Sequence, residues 1–225
     1  MKKIAIHQSQ YLPWAPYFRK VAQSDLFVIM DAVQFQKNGV QNRNKIRNKH
    51  EDFWLTIPVS GSINDLILEK SISNPLWKKK HWKSIRTAYQ KAPYWYQYAN
   101  KLEALYSQDY KSLFEVNDNV FKFIIKELEI DTDIVYLSDL NTQMSKSNLV
   151  LEICQKLDAN VYLSGHGGKS YLNESDFSKR GIYIEYLTSE IPKYPQLYEG
   201  FSPGLSIIDM MMNVDLSVIK EYLYK

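Results

Sequence analysis

Cysteine is all but missing from this 225-residue chain. Cys154 stands alone, which excludes an intramolecular disulfide and points to a cytosolic chain. One thiol and four scattered histidines also exclude a zinc site built from thiolates, and no metal is expected. No apolar run approaches the ~20 residues that cross a bilayer, and the Met1-Lys2-Lys3 start lacks the apolar core of a signal segment. A cytoplasmic protein with no membrane insertion is expected. A large charge of one sign is missing too: 28 Lys and Arg face 25 Asp and Glu. That excess is too small for a nucleic-acid coat, so no nucleic-acid partner is expected. There is no GxGxxG or P-loop, which leaves no dinucleotide or Walker assignment.

What is present is the composition of an ordinary globular protein, 45% hydrophobic and 24% charged, without the bias of a disordered chain. Seventeen tyrosines can reflect genomic base bias and do not by themselves make a sugar-binding surface. At this length, folding buries roughly 70% of the extended-chain surface, so a full core needs neither disulfide nor metal. One domain over 1–225 is expected.

Lys3 to Ile6 reads as a buried strand ending at His7. A proline-containing loop follows, then a helix with Pro16 in its first turn, then the apolar run Leu26 to Met30 ending at Asp31. Strand, loop, helix, strand is a βαβ unit with a parallel pair. Residues 32–50 are amide-rich and read as irregular. Phe53–Val59 and Leu66–Ile72 read as antiparallel strands around the turn Ser60-Gly61-Ser62. Trp77 to Leu128 reads as helices broken at Pro93, an insertion suited to a lid or subdomain. The α/β rhythm then resumes. Strands are expected over Ile134–Leu137, Val161–Leu163 and Ile182–Tyr186, and helices over Ser147–Leu157, over Glu174–Lys179 and from about Ser206 with a break near Asp215. The expected fold class is α/β, a Rossmann-like, mostly parallel sheet with a helical insertion at about 77–128 and an antiparallel extension.

In open α/β sheets ligands bind beyond the carboxyl ends of the strands. Three polar groups fall there: His7 with Gln8, Asp31 with Gln34, and Ser164 through Gly168. The glycines at 165, 167 and 168 allow positive φ, so their N–H groups can converge into an anion nest; the alternative is a tight loop that needs glycine sterically. His7 is either a core histidine or a phosphate contact and acid–base group. Asn42-Arg43-Asn44 is either solvated loop or ligand cradle, with Arg43 suited to a phosphate or carboxylate. His81 lies on an apolar helix face between Trp77 and Ile85 and reads as structural by spacing alone, while Lys78 to Lys80 fan across the solvated face. Ser145 and its polar neighbours before the next helix read as a cap, and Cys154 as inert core.

Taken together these residues resemble the WbqC-like family. The resemblance is carried by His7-Gln8-x-x-Tyr11-Leu12-Pro13-Trp14, Asp31-x-Val33-Gln34-Phe35, Gln41-Asn42-Arg43-Asn44 and Trp77-x-x-x-His81. It continues through Tyr162-Leu163-Ser164-Gly165-x-Gly167-Gly168 and Tyr194-Pro195-Gln196-Leu197 to Asp209 and Asn213. It implies a bacterial protein associated with O-antigen and other surface polysaccharides, and it makes His7, Asp31, Asn42, Asn44, His81 and Gly168 motif positions. A second likeness, of architecture only, is to the adenylyl-transferring folds that include pantothenate synthetase. Those usually carry HxGH where this chain has His7-Gln8-Ser9-Gln10.

The expected activity is acyl or aminoacyl transfer to the amine of a nucleotide-linked amino sugar, with ATP as a candidate co-substrate. Nucleotidyl or glycosyl transfer and non-catalytic sugar or nucleotide binding are the alternatives. His7 and Asp31 are the expected catalytic pair. Gln8, Gln34, Asn42, Arg43, Asn44, His81 and Ser164 to Gly168 are expected to hold substrate, and Tyr11 and Trp14 to stack on sugar or base.

Overall fold

The structure is a computed structural model that describes residues 1–188 and 190–225. In chain order it contains β1 (Lys3–Gln8), α1 (Ala15–Ala22), β2 (Leu26–Met30), β3 (Arg43–Arg47), β4 (Asp52–Thr56), β5 (Val59–Ser60) and β6 (Ser71–Ile72). There follow α2 (Trp77–Tyr89), α3 (Trp95–Ser107), α4 (Leu113–Glu127), β7 (Asp133–Tyr136), α5 (Lys146–Lys156) and β8 (Val161–Ser164). The chain closes with α6 (Glu174–Ser178), β9 (Tyr183–Tyr186), α7 (Ile207–Asn213) and α8 (Leu216–Tyr224).

Five strands form one parallel sheet in the order β7-β2-β1-β8-β9. Their apolar residues alternate between two buried faces, as a two-residue period requires. Ala5, Phe27, Ile29 and Leu163 face a cluster with residues of α1, α4, α7 and α8. Ile4, Ile6, Val28 and Tyr162 face a second cluster with α5 and Phe177 of α6. Phe121 of α4 stacks on Phe18 and Phe27, tying the helices to the first face. Burying one such ring contributes roughly 1.5–3 kcal/mol. Helices α2 and α3 extend the same buried cluster. The chain winds from β1 to β2 and β7 on one side, then returns through α5 to β8 and β9 on the other. The switch between these directions lies between β1 and β8.

The antiparallel part differs from the sequence reading. Arg43–Arg47, expected to be irregular, pairs with Asp52–Thr56. Its alternation leaves Asn44 and Ile46 buried and the charged residues between them half-buried, and a single apolar residue is a weak strand signal. Leu66–Ile72, expected as a strand, bends through a 3-10 turn at Ile67–Glu69 and pairs only at Ser71 and Ile72, with Val59 and Ser60. Asp65 and Lys70 close that turn over Ser62, which leaves no ladder between them.

Candidate functional site

The site begins where a ladder stops. Carbonyls alternate along a strand, so those of Lys2, Ile4 and Ile6 point toward β8. Lys2 accepts the N–H of Val161, but β1 and β8 part after the Ala5–Leu163 pair. The carbonyl of Ile6 is therefore left facing an open seam. Lys20 of α1 fills it, donating from Nζ to that carbonyl at 2.6 Å. Its ammonium also lies 5.7 Å from the centre of the Tyr162 ring. Lys20 is only 5% exposed, and no carboxylate pairs with it among the described residues. Burial lowers its pKa to about 7, against the ordinary value of 10.5.

Two cavities open over this seam. The larger, about 540 Å³, is lined by His7 and Gln8 from β1, by Ser164, Gly165, Gly167 and Gly168 after β8, and by Lys20, Lys146, Tyr162 and Tyr171. The smaller, about 360 Å³, is lined by Trp14, Tyr17, Arg19, Leu187 and Thr188. His7, Lys20, Gly165 and Gly167 line both, which makes one crevice with two lobes. No Asp or Glu lines either lobe among the described residues, whereas Lys20, Arg19 and Lys146 do. The charge of such a crevice suits anions.

His7 packs against Tyr17 with ring centres 4.8 Å apart, and Gln10 Nε2 donates to its Nδ1 at 3.4 Å. Nε2 then carries the ring proton. Burial, assisted by the charge of Lys20, lowers its pKa to about 3. His7 is thus a neutral donor at pH 7. The glycine loop is not the positive-φ nest expected from sequence: Gly165 has φ −72°, and His166–Ser170 forms a 3-10 turn. Gly168 is crowded, since a Cβ there would meet Ser164 Oγ at 2.0 Å. At Gly165 and Gly167, which line both lobes, a Cβ would meet nothing within 4 Å.

With this geometry in place, comparison with known proteins is informative. The model of the WbqC-like protein family matches residues 8–221. An uncharacterized protein of Mycobacterium tuberculosis strain H37Rv (Rv1507c) is 32% identical over 218 residues, covering 95% of this chain and 94% of that protein. The chain belongs to the WbqC-like family. No solved structure matches it.

Other residues of the WbqC-like motifs serve the frame around the crevice. Asp31 is 1% exposed; its carboxylate accepts the Ser138 N–H at 3.0 Å and the Ser138 hydroxyl at 2.6 Å, pinning the segment after β7. Tyr11, expected to stack on a ligand, is fully buried and its hydroxyl is engaged. Since the carbonyl of Thr56 can only accept, His81 donates to it from Nε2, and Nδ1 accepts from Tyr11, which accepts in turn from Tyr106. Burial holds His81 at about 4. Asn44 donates to the carbonyl of Leu12, fixing the loop after β1. Asn42 donates to the carbonyl of Ile57, and it lines a different cavity with Arg43. Gln34 is exposed and donates to the Ile63 carbonyl. Of the expected site residues, the crevice gathers His7, Gln8, Trp14, Ser164, Gly165, Gly167 and Gly168.

Lys20 is the member that sequence reading missed in this WbqC-like chain. Its one signal is position: it stands three residues after Tyr17 on α1, a cation at inward helical spacing. Lys146, read only as part of a cap, lines the larger lobe. No helix among the described residues is long and apolar enough to cross a membrane.

Proposed function

We propose that the crevice binds a nucleotide-linked amino sugar and that the protein transfers an acyl or aminoacyl group to the sugar's amine. The reading places it as a cytoplasmic enzyme of surface-polysaccharide precursor synthesis. The observation that carries it is the two-lobed crevice, lined by no carboxylate among the described residues, with Lys20 at its waist. A sugar and a nucleoside joined by a diphosphate are a two-part molecule with an anionic middle. Lys20 and the opening at Gly165 and Gly167 take the phosphates, and His7 donates to them from Nε2. Trp14 lies in the smaller lobe, where an indole suits a sugar or base face. Asp31 acts through Ser138 as an orienting carboxylate.

Transfer forms a C–N bond at the sugar nitrogen. The activating group of the acyl donor, from ATP in this reading, leaves with the bonding electron pair, and one proton is released. A bound phosphate on Nε2–H raises the His7 imidazole from about 3 toward the range in which Nδ1, once it gives up its 3.4 Å hydrogen bond from Gln10, accepts that proton.

The test is incubation with ATP, a panel of carboxylic and amino acids, and uridine-diphosphate-linked amino sugars, followed by mass spectrometry. The expected product is the amide, at the summed mass of acid and sugar nucleotide less water. His7→Ala is expected to slow its formation by about 10²-fold or more. A product lacking the amide would favour nucleotidyl or glycosyl transfer. Binding without turnover across the panel would leave a binding protein.

A further inference from the structure

A second cavity, about 400 Å³, lies between the segment at Phe35–Asn38, the start of β3 and the turn after β5. Phe35, Ile57, Val59 and Ile63 supply apolar walls. Lys37, Arg43 and Lys70 are its charged lining residues, and no carboxylate lines it among the described residues.

The cations are held in place before any ligand arrives. Arg43 donates from Nε to the carbonyl of Gly39 at 3.2 Å and from a terminal nitrogen to the carbonyl of Asn38. Its guanidinium lies 4.3 Å from the centre of the Trp54 ring. Two of five N–H donors are used, which leaves an end-on fork. Lys70, with a buried side chain, is held by the carbonyl of Ser62 and by Asp65, 5.0 Å from the Phe35 ring centre. A fixed fork beside apolar walls matches an anion that is flat at one end and greasy at the other.

We propose that this cavity binds an organic acid, its carboxylate on Arg43 and its apolar body against Phe35 and Ile57. Binding there does not depend on the acyl-transfer reading, although within that reading it is the acyl group's port. Gln41 connects the two places: it donates to Gln8 of the crevice at 2.9 Å and accepts the N–H of Gln36, the neighbour of Phe35, at 2.6 Å.

The test uses hexanoate, titrated by NMR into the full chain with and without saturating uridine diphosphate. Shifts of the Ile57 and Ile63 methyls are expected at millimolar hexanoate, unaffected by the nucleotide. Arg43→Met is expected to weaken hexanoate about tenfold, the scale of one charge-assisted hydrogen bond, with uridine diphosphate affinity unchanged. Ile63 is 64% exposed, so Ile63→Trp can narrow the cavity without disturbing the core, and it should weaken hexanoate equally. The proposal is overturned if neither variant changes hexanoate binding, if uridine diphosphate displaces hexanoate, or if hexyl phosphate binds more tightly. Failure of nucleotide binding alone would count against the crevice reading and leave this cavity's assignment standing.

Discussion

A buried lysine that meets a carbonyl and an aromatic ring, and no carboxylate among the described residues, is an unusual use of a charge. Transfer of the ammonium out of water is opposed by desolvation, and Lys20 receives no carboxylate in return. The groups nearest to it do not change charge near neutrality. His7 is neutral down to about 3, the Cys154 thiol is pushed up to about 12 by burial, and the Tyr162 phenol is pushed far above its usual value by the same cause. Of these four groups, Lys20 is the one that changes charge near neutrality. Its folded pKa, about 7, lies below the unfolded 10.5, so between those values the unfolded chain holds the extra proton. Stability then rises with pH across that window and is lost as pH falls toward 7, by at most about 1.4 kcal/mol per pH unit. Denaturant titrations at pH 7 and 9.5 should show the gain in the wild type and not in Lys20→Met. An anion reverses the preference. It favours the ammonium, so uridine diphosphate should bind more weakly as pH rises from 7 to 9, with proton uptake measurable by calorimetry in buffers of different ionisation enthalpy. Lys20→Met should bind weakly at every pH.

The loop after β8 divides its glycines between two duties. At Gly168 a methyl group would strike Ser164 Oγ and approach Leu172 Cδ1 to 2.9 Å, so in Gly168→Ala these side chains must give way. A destabilisation of about 1–3 kcal/mol is expected, read as a lower melting temperature. Gly167→Ala meets nothing and should melt with the wild type, while weakening uridine diphosphate by filling the space a ligand needs. A Gly167→Ala protein that melts early would show that the residue serves the fold instead. This division was only half legible in the sequence. The strands at both sides of the seam stood out because β1 and β8 each carry a continuous apolar run, and the tail's break near Asp215 because Asp215 caps α8. A loop rich in glycine at the end of β8 followed from that placement. The conformation did not, because glycine permits positive φ without requiring it. β3 was invisible for the opposite reason: its inward residues are Asn44 and Ile46, and the burial of Asn44 depends on a carbonyl 32 positions earlier. Lys20 was hidden in the same way, since its place depends on where β1 leaves β8.

Bonds cross every seam between the sheet, the helices of residues 77–127 and the C-terminal segment. Tyr89 of α2 and Tyr194 of the tail both donate to the buried carboxylate of Asp209, at 2.8 and 2.9 Å. Arg47 of β3 donates to Gln196 and to the carbonyls of Glu199 and Gly200. Gln23, after α1, donates to the carbonyl of Leu223 in α8. Opening any one part exposes groups that another part satisfies, so a single cooperative unfolding transition is expected. A ligand seated in the crevice touches β1, α1 and the loop after β8, and it is released only when these separate. It should therefore raise that one transition as a whole rather than split a stabilised part from an unstabilised one. At a hundred times the dissociation constant the gain is about 2.7 kcal/mol, which for a chain of this length is roughly 5–11 °C. Calorimetry with uridine diphosphate should show one peak moving upward by that amount in low salt and by less at about 0.5 M, as screening weakens the attraction. Two peaks, with only one responding, would mean that the crevice and the helical block unfold independently and that the bonds to Asp209 do not couple them.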